Sequence, residues 1–202
     1  MKPVNHFHNL IAGISDASRI KTARARQLIS LDNHAEPMTF ILHDGIAAAY
    51  RNSDQLLLKY FKAPMILGVN ELVDINADTF VKAYTTIHYE IMPSKNVLEV
   101  INHESLWKDI SYVYMYGIKQ LLHAHKTSAG LSTYELIRLN LMALMSEDED
   151  LRSQINVSDY IQEKTRISRS RVMKILSDLR NGGYIEVNRG ILITINKLPE
   201  RY

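Results

Sequence analysis

The sequence predicts an α+β fold in which an N-terminal antiparallel jelly-roll barrel precedes a long helix and a helical domain with one hairpin. Short β-rich runs between turn signals fill most of the first 95 residues. A helical apolar period follows, and a capped helix with a β-hairpin comes near the end of the chain. The predicted divisions are a barrel at 1–103, a helix and hinge at 104–130, and a helical domain at 131–202.

The barrel is predicted from four β-rich runs, at 40–43, 46–50, 56–61 and 81–92. The first two flank the turn dipeptide Asp44-Gly45, and the last is rich in β-branched and aromatic residues. Short strands at about 8–12-residue spacing are typical of small antiparallel barrels.

The composition excludes several classes of protein. With 46% hydrophobic and 23% charged residues, the chain has ordinary globular usage, which argues against disordered and collagen-like classes. The absence of cysteine excludes disulfide scaffolds, thiolate zinc sites, cysteine-bound iron–sulfur clusters and cysteine nucleophiles. The N-terminus lacks the apolar region of a signal peptide, and no run approaches the ~18 apolar residues of a membrane span. We therefore expect a cytoplasmic protein with no membrane partner.

The charge is unevenly distributed along the chain. Residues 1–150 carry 14 Lys and Arg against 17 Asp and Glu, whereas residues 151–202 carry 10 against 5. A basic C-terminal quarter on a mildly acidic body indicates that this quarter meets a polyanion.

A single helix is predicted near 104–126, about 35 Å long at 1.5 Å per residue. Its apolar positions cover more than one face. The helix could be buried entirely against its own barrel, or it could present a second stripe to another copy of the chain. We favour the second interpretation, which predicts a homodimer through residues 104–126.

The most informative segment is a capped basic helix near the end of the chain. Ser168 is a good N-cap for a helix running to about Arg180, and Gly182-Gly183 would end it with a left-handed residue. Four apolar residues at i, i+3, i+4 and i+7 form one buried face; they are Val172, Ile175, Leu176 and Leu179.

A hairpin follows this helix. The β-rich runs 184–187 and 191–195 flank the three-residue loop Asn188-Arg189-Gly190. A short helix, a basic helix and a hairpin in this order are typical of a winged helix-turn-helix, although many basic helices are only solvated faces. The sequence predicts double-stranded DNA as the partner, with the basic helix in the major groove.

With these features the chain resembles the Crp/Fnr superfamily of bacterial transcription regulators over nearly its whole length. Residues 40–45 resemble its strand–Gly–strand element, 64–68 the approach to its effector pocket, and 167–176 its recognition-helix signature. A narrower similarity is to the IprA-like branch. The resemblance implies a cyclic-nucleotide-binding-like barrel, a dimer helix, an inverted-repeat operator and RNA polymerase as a further partner.

The predicted effector pocket departs from the cyclic-nucleotide-binding pattern. Val69 follows the pocket Gly68 where those members carry Glu, and Ala77-Asp78 stand where they carry an Arg-Ser pair. A carboxylate in place of a guanidinium repels a phosphate. The pocket of Gly68, Val69, Ala77 and Asp78 is therefore predicted to be degenerate, with no response to cyclic AMP.

The helix-turn-helix also departs from the family's pattern. Gln162 and Arg166 stand where small residues are usual, and the family's Arg-Glu pair is Arg169-Ser170 here. Serine is a less selective reader than glutamate, which accepts a hydrogen bond from the cytosine amino group. The predicted base contacts are Arg169, Ser170 and Lys174. The predicted phosphate contacts are Ser168, Arg171, Ser177, Arg180 and Arg189.

Two alternatives remain open at this point. The barrel could bind a ligand other than a cyclic nucleotide, including haem, because eight histidines are present. A cupin-like metalloprotein is suggested by the i, i+2 pairs His6/His8 and His123/His125. The first pair lies outside the predicted barrel strands, and the second lies on the long helix, where i and i+2 do not face each other. We predict no metal site and no cofactor. Since the sequence has no Ser-His-Asp arrangement, P-loop or dinucleotide fingerprint, we also predict no catalytic residues.

Overall fold

The structure is a computed structural model that describes residues 2–31, 36–69, 78–125 and 130–200. Side chains are described for these residues except 123–125. The chain divides into two units, Met1–His123 and Ala124–Tyr202. Each unit has its own hydrophobic core, so each is described separately.

In its described residues, the first unit has eight strands that follow one α-helix and precede two more. Its elements are α1 (Val4–Ile14), β1 (Lys21–Ala23), β2 (Leu28–Ser30), β3 (Met38–Asp44), β4 (Ile46–Arg51), β5 (Leu57–Lys62), β6 (Met65–Leu67), β7 (Thr79–Ala83), β8 (Ile87–Pro93), α2 (Ser94–His103) and α3 (Trp107–His125).

The strands form two antiparallel four-stranded sheets, in the orders β1-β8-β3-β6 and β2-β7-β4-β5. Phe40 on β3 stacks on Tyr89 at 5.5 Å between ring centroids and packs edge-on against Phe61 of the other sheet at 6.3 Å. Ala47 pairs with both Phe61 and Ala83, so small residues leave room for the rings. Large and small side chains thus interlock between the sheets, and the predicted jelly-roll barrel is confirmed.

The predicted turn between the first two long strands is present at Gly45. Its φ is +87°, and a Cβ atom there would clash with the carbonyl oxygen of Thr86. Glycine is required here on both counts, because this backbone conformation disfavours L side chains and the neighbouring strand end lies too close.

A buried carboxylate joins the barrel to the segment after α1. Glu90 on β8 has a fully buried side chain. It accepts hydrogen bonds from the Ser15 hydroxyl, from Arg19 Nε at 3.0 Å and from the Asp16 amide at 3.3 Å, and it lies 2.8 Å from His43 Nε2. Burial raises the pKa of Glu90, but these hydrogen bonds lower it by more, so the pKa lies below its ordinary value. Glu90 therefore stays ionised inside the fold.

The long helix begins later than the sequence predicts. Ser105 has a left-handed φ of +57° and separates α2 from α3, so the helix predicted at 104–126 is Trp107–His125, about 28 Å long. Leu106 N–H still bonds to Ile101 O at 2.9 Å across this turn. Among the described residues, no helix is both long and apolar enough to cross a membrane.

Helix α3 has two apolar faces. Ile110 is 3% exposed in the core of the first unit, and Tyr116 packs edge-on against Phe7 of α1. The opposite side carries large apolar residues that are exposed in the chain, with Ile118 at 54% and Leu121 at 72%. We call this set the exposed stripe; it consists of Trp107, Tyr114, Met115, Ile118, Leu121 and Leu122.

In the second unit, the described residues 130–200 contain four helices and a hairpin. These are α4 (Thr133–Met145), α5 (Glu149–Arg152), α6 (Val157–Thr165), α7 (Arg169–Asn181), β9 (Ile185–Asn188) and β10 (Ile191–Ile195). Helix α4 begins with a capping box in which Ser132 and Glu135 satisfy each other's backbone amides. Its buried residues Ile137, Leu141 and Leu144 belong to the core of this unit.

Candidate nucleic-acid interface

Helix α7 has one buried face and one polar face. Val172, Ile175, Leu176 and Leu179 are all 5% exposed or less, as their spacing predicts. The predicted base contacts lie on the remaining surface of the helix. Arg169, Ser170 and Lys174 are all exposed.

The five predicted phosphate contacts are exposed as well. Ser168 occupies the N-cap position of α7, but its hydroxyl caps no backbone amide; it lies 3.3 Å from the hydroxyl of Ser170. The first turn of α7 holds no acidic residue. Its positive end is therefore unopposed within the helix, an arrangement that favours an anion.

The end of α7 forms a Schellman motif. Gly183 has a φ of +70°, and its N–H bonds to Arg180 O at 3.0 Å. Tyr184 N–H bonds to Leu179 O at 2.9 Å. The left-handed residue is thus the second of the two glycines, since Gly182 has φ −77°.

Arg166 and Gln162, which stand where small residues are usual, lie in the turn after α6 and within α6. Arg166 adopts a left-handed φ of +60°, a conformation that favours glycine and explains why small residues suit this position. The Gln162 side chain donates to Ser158 O at 3.0 Å along its own helix, so its bulk lies against α6. Arg166 is exposed beside α7, which makes it a cation that the sequence analysis did not assign to DNA.

The hairpin has a two-residue turn, and the predicted three-residue loop is wrong. Asn188, the last residue of β9, pairs with Ile191, the first residue of β10. Arg189 and Gly190 alone form the turn, with φ of +49° and +84°. Two successive positive φ values are the mark of a type I′ turn, whose twist matches that of the flanking strands.

This hairpin turn is bonded to the first helix of the helix-turn-helix. Val157 N–H donates to Gly190 O at 2.8 Å, and Asn156 forms a β-bridge with Ile191. The Asn156 side chain caps α6 by accepting from Ser158 N–H at 3.0 Å and from Asp159 N–H at 3.3 Å. The position of Arg189 is therefore fixed relative to α6.

Replacing Gly190 by alanine should destabilise the second unit by about 1–3 kcal/mol. The new Cβ would occupy a left-handed residue and clash with the Asn156 side chain. Hydrogen exchange of the β9–β10 peptides measures the effect. The matched control is Gly183→Ala, because Gly183 also has a positive φ but a Cβ there meets nothing within 4 Å. Equal losses for the two variants would contradict the role given to the Asn156 contact.

The residues predicted to form a degenerate effector pocket have structural partners. A Cβ on Gly68, whose φ is +88°, would clash with Met38 O, and Gly68 O accepts from Ser94 Oγ at 2.8 Å. Val69 is 7% exposed in the core. Asp78 accepts from the Ser53 amide at 3.1 Å. Ala77 lies outside the described residues.

The described histidines His6, His43 and His103 contact different carboxylates. His6 lies 2.8 Å from an Asp109 carboxylate oxygen and stacks on Tyr112 at 4.0 Å. The side chains of His123 and His125 lie outside the description. Among the described residues, no group of three or more His, Asp or Glu is placed to hold a metal ion.

The second unit matches a known protein family. Residues 133–200 match a family model described as winged helix-turn-helix DNA binding. This span includes α4 to α7 and the hairpin, so the second unit contains a winged helix-turn-helix domain, with the hairpin as its wing.

Solved structures define the fold of the whole chain. It is similar to the CLP regulator of Xanthomonas campestris, with a TM-score of 0.73 and 12% identity over 96% of this chain and 100% of that one. A CooA mutant from Carboxydothermus hydrogenoformans matches with a TM-score of 0.68 and 14% sequence identity, over 88% of this chain and 83% of that one. A CRP/FNR-family regulator from Thermus thermophilus matches with a TM-score of 0.61 and 16% sequence identity, over 86% of this chain and 91% of that one. The chain thus has the Crp/Fnr regulator fold.

Curated relatives identify the family within that fold. A Salmonella typhimurium protein named Inhibitor of hydrogen peroxide resistance is 32% identical over 205 residues, which cover 100% of this chain and 98% of that protein. The Escherichia coli K12 protein of the same name is 32% identical over 206 residues with the same coverage. The chain belongs to this family, and it combines the Crp/Fnr regulator fold with a winged helix-turn-helix DNA-binding domain.

Proposed function

We propose that the protein is a sequence-specific transcription regulator that binds an inverted-repeat operator as a homodimer. Its proposed parts are a barrel at 1–103, a dimerisation helix and hinge at 104–130, and a DNA-binding domain at 131–202. In this proposal it catalyses no reaction and requires neither a metal nor a cofactor.

The observation that carries this proposal is the exposed cationic surface of α7. Arg169, Arg171, Lys174 and Arg180 project from a helix whose opposite face is fully buried. Arg and Lys are the residues that read guanine in the major groove and neutralise phosphates. We assign Arg169, Ser170 and Lys174 to bases. The proposed phosphate contacts are Ser168, Arg171, Ser177, Arg180 and Arg189.

The exposed stripe of α3 supports the homodimer. Contiguous apolar surface of this kind on a helix is typical of protein–protein contacts, and two copies of one stripe are complementary to each other about a two-fold axis. A two-fold protein matches an inverted repeat whose half-sites lie about one helical turn apart.

The barrel interior supports a function independent of cyclic AMP. Phe40, Phe61 and Tyr89 lie within the space between the sheets. Asp78, which the resemblance aligns with a phosphate-binding position, is engaged with the Ser53 amide instead. A carboxylate at that position would repel the cyclic phosphate.

The remaining partners follow from the proposed role. A regulator of transcription acts where the bacterial DNA lies, so we expect it in the cytoplasm, with RNA polymerase as a further partner. The relatives are named for inhibiting resistance to hydrogen peroxide. By analogy, we infer that the target genes of this protein affect peroxide resistance.

The test is selection of bound fragments from random duplex DNA by the purified full-length protein with no added effector. We expect a shared inverted repeat with half-site centres about 10–10.5 base pairs apart. Binding that is equal for all sequences and lost in high salt would contradict a sequence-specific function.

Variants of α7 and of the wing should behave differently on the selected operator. Arg169→Ala should cost about 1–3 kcal/mol on the operator and relax its specificity, because a guanine contact is lost. Arg189→Ala should weaken binding to all DNA sequences equally, because a phosphate contact is lost. The slope of the logarithm of the binding constant against the logarithm of the salt concentration should fall in magnitude by about 1. Titrations on operator and random duplexes at several salt concentrations measure both effects. Equal losses on both duplexes for Arg169→Ala would overturn its assignment to a base.

A further inference from the structure

Helix α7 carries an apolar residue on its exposed surface. Met173 is 47% exposed, and it is the one large apolar side chain of this fully described helix with such exposure. The core residues of the helix are Val172, Ile175, Leu176 and Leu179, each 5% exposed or less, and Met173 is not among them. Leu176, three residues on, borders Met173 on its buried side. The neighbours of Met173 on the exposed surface are polar.

The position of Met173 is set by helix geometry. Residues three and four apart are neighbours on a helix surface, so Met173 lies beside Arg169 and Ser170 in the preceding turn and Ser177 in the next. These neighbours include two of the side chains proposed to read bases. A side chain in this position faces the same groove as they do.

The chemistry of an apolar side chain in a major groove is specific. Of the four bases, only thymine presents a methyl group there, whereas cytosine presents an amino donor that a thioether satisfies poorly. Methionine is unbranched and flexible, so it can reach and cover a methyl group. A shorter or polar side chain would not exclude water from that contact.

We propose that Met173 reads the C5-methyl group of a thymine next to the base pair contacted by Arg169, and so contributes to operator specificity. This proposal rests on the proposed function of α7 as a sequence-reading helix. It adds an apolar contact to the charged and hydroxyl side chains proposed to read bases.

The experiment starts from the operator selected by the full-length protein. Each thymine of the half-site is replaced in turn by deoxyuridine, which removes one methyl group and leaves the base pairing unchanged. At one thymine adjacent to the Arg169-dependent base pair, we expect the wild-type protein to bind about threefold to fivefold more weakly per half-site, the value expected for one buried methyl group.

Three variants connect that loss to Met173. Met173→Ala should bind the thymine operator more weakly than wild type and show no further loss with deoxyuridine. Met173→Leu should keep the methyl dependence because it keeps an apolar contact. The matched control is Met142→Ala, which removes a methionine of similar exposure, 50%, from α4; it should keep the full wild-type dependence. Thermal unfolding of each variant checks that the fold is intact.

The outcomes separate this inference from the proposed function. If selection yields an operator but deoxyuridine has no effect, or affects Met173→Ala as much as wild type, the assignment of Met173 is wrong while sequence-specific binding stands. If selection yields no shared sequence, both the proposed function and this inference are overturned.

Discussion

Ile118→Glu should convert the proposed homodimer into a monomer. Ile118 lies in the middle of the exposed stripe and is 54% exposed in the chain. A two-fold contact through this stripe would bring two glutamates together in an apolar surface, where each loses its hydration without gaining a partner. The folded monomer should tolerate the change because Ile118 is not part of its core.

Sedimentation or light scattering measures the mass of the variant in solution. Lys119→Glu is the matched control, since it introduces glutamate at the adjacent exposed position, outside the stripe. It should remain a dimer. A dimeric Ile118→Glu variant would contradict the assignment of the stripe to the dimer contact.

The same variant should lose about 10²–10⁴-fold in affinity for the full operator, because two linked domains gain this much from binding together. Its affinity for a single half-site should stay close to that of a wild-type protomer. Measuring both duplexes distinguishes a lost dimer from a damaged DNA-binding domain.

Glu90→Gln should destabilise the first unit by about 2–4 kcal/mol, the cost of breaking a buried charge-assisted network. Glutamine cannot pair with the charge of Arg19, and its amide group places a donor where the carboxylate accepts hydrogen bonds. Denaturant unfolding followed by the fluorescence of Trp107, the single tryptophan, reports on this unit. Glu99→Gln, on the exposed side of α2, is the control and should change little.

The stability of this unit should also fall in acid. Because the pKa of Glu90 is lower in the folded state than in the unfolded chain, its contribution is fully present above the unfolded pKa, for which the ordinary value is 4.5. The contribution is lost as the pH falls from there through the lower folded pKa. Glu90→Gln should therefore show a weaker loss of stability below pH 4.5. If the free energy of unfolding fell equally with pH in the wild type and in Glu90→Gln, the role given to the carboxylate would be contradicted.

Helix α7, the proposed recognition helix, could be predicted because the sequence signals for it are local. The buried face of α7 follows from a 3.6-residue period, and Gly182-Gly183 marks its end. The break at Ser105 carries no Gly or Pro signal, and the apolar pattern continues across it because α2 and α3 both contribute to one core. The sequence predicts a wing loop that is one residue too long, because asparagine is typical of turns and depleted in strands, whereas Asn188 ends β9.

Long-range contacts explain most of what the sequence could not predict. Glu90 interrupts an apolar strand, and its partners come from segments 47 to 75 residues away. Val157 and Gly190 are likewise distant in the chain, and no periodic pattern indicates that their backbones bond. Whether a charged residue is tolerated inside a strand depends on such partners, which become visible only in the folded protein.

The bond between the wing turn and α6 has a consequence for how DNA shape is sensed. Helix α7 packs against both α6 and β9, and Val157 joins α6 to the wing. In the proposed complex, the separation between the groove-reading side chains and the Arg189 cation is therefore nearly constant. A duplex must match that separation in groove width, or bend until it does, and the energy of bending depends on base sequence. Base pairs that the protein never touches would then influence which sites it occupies.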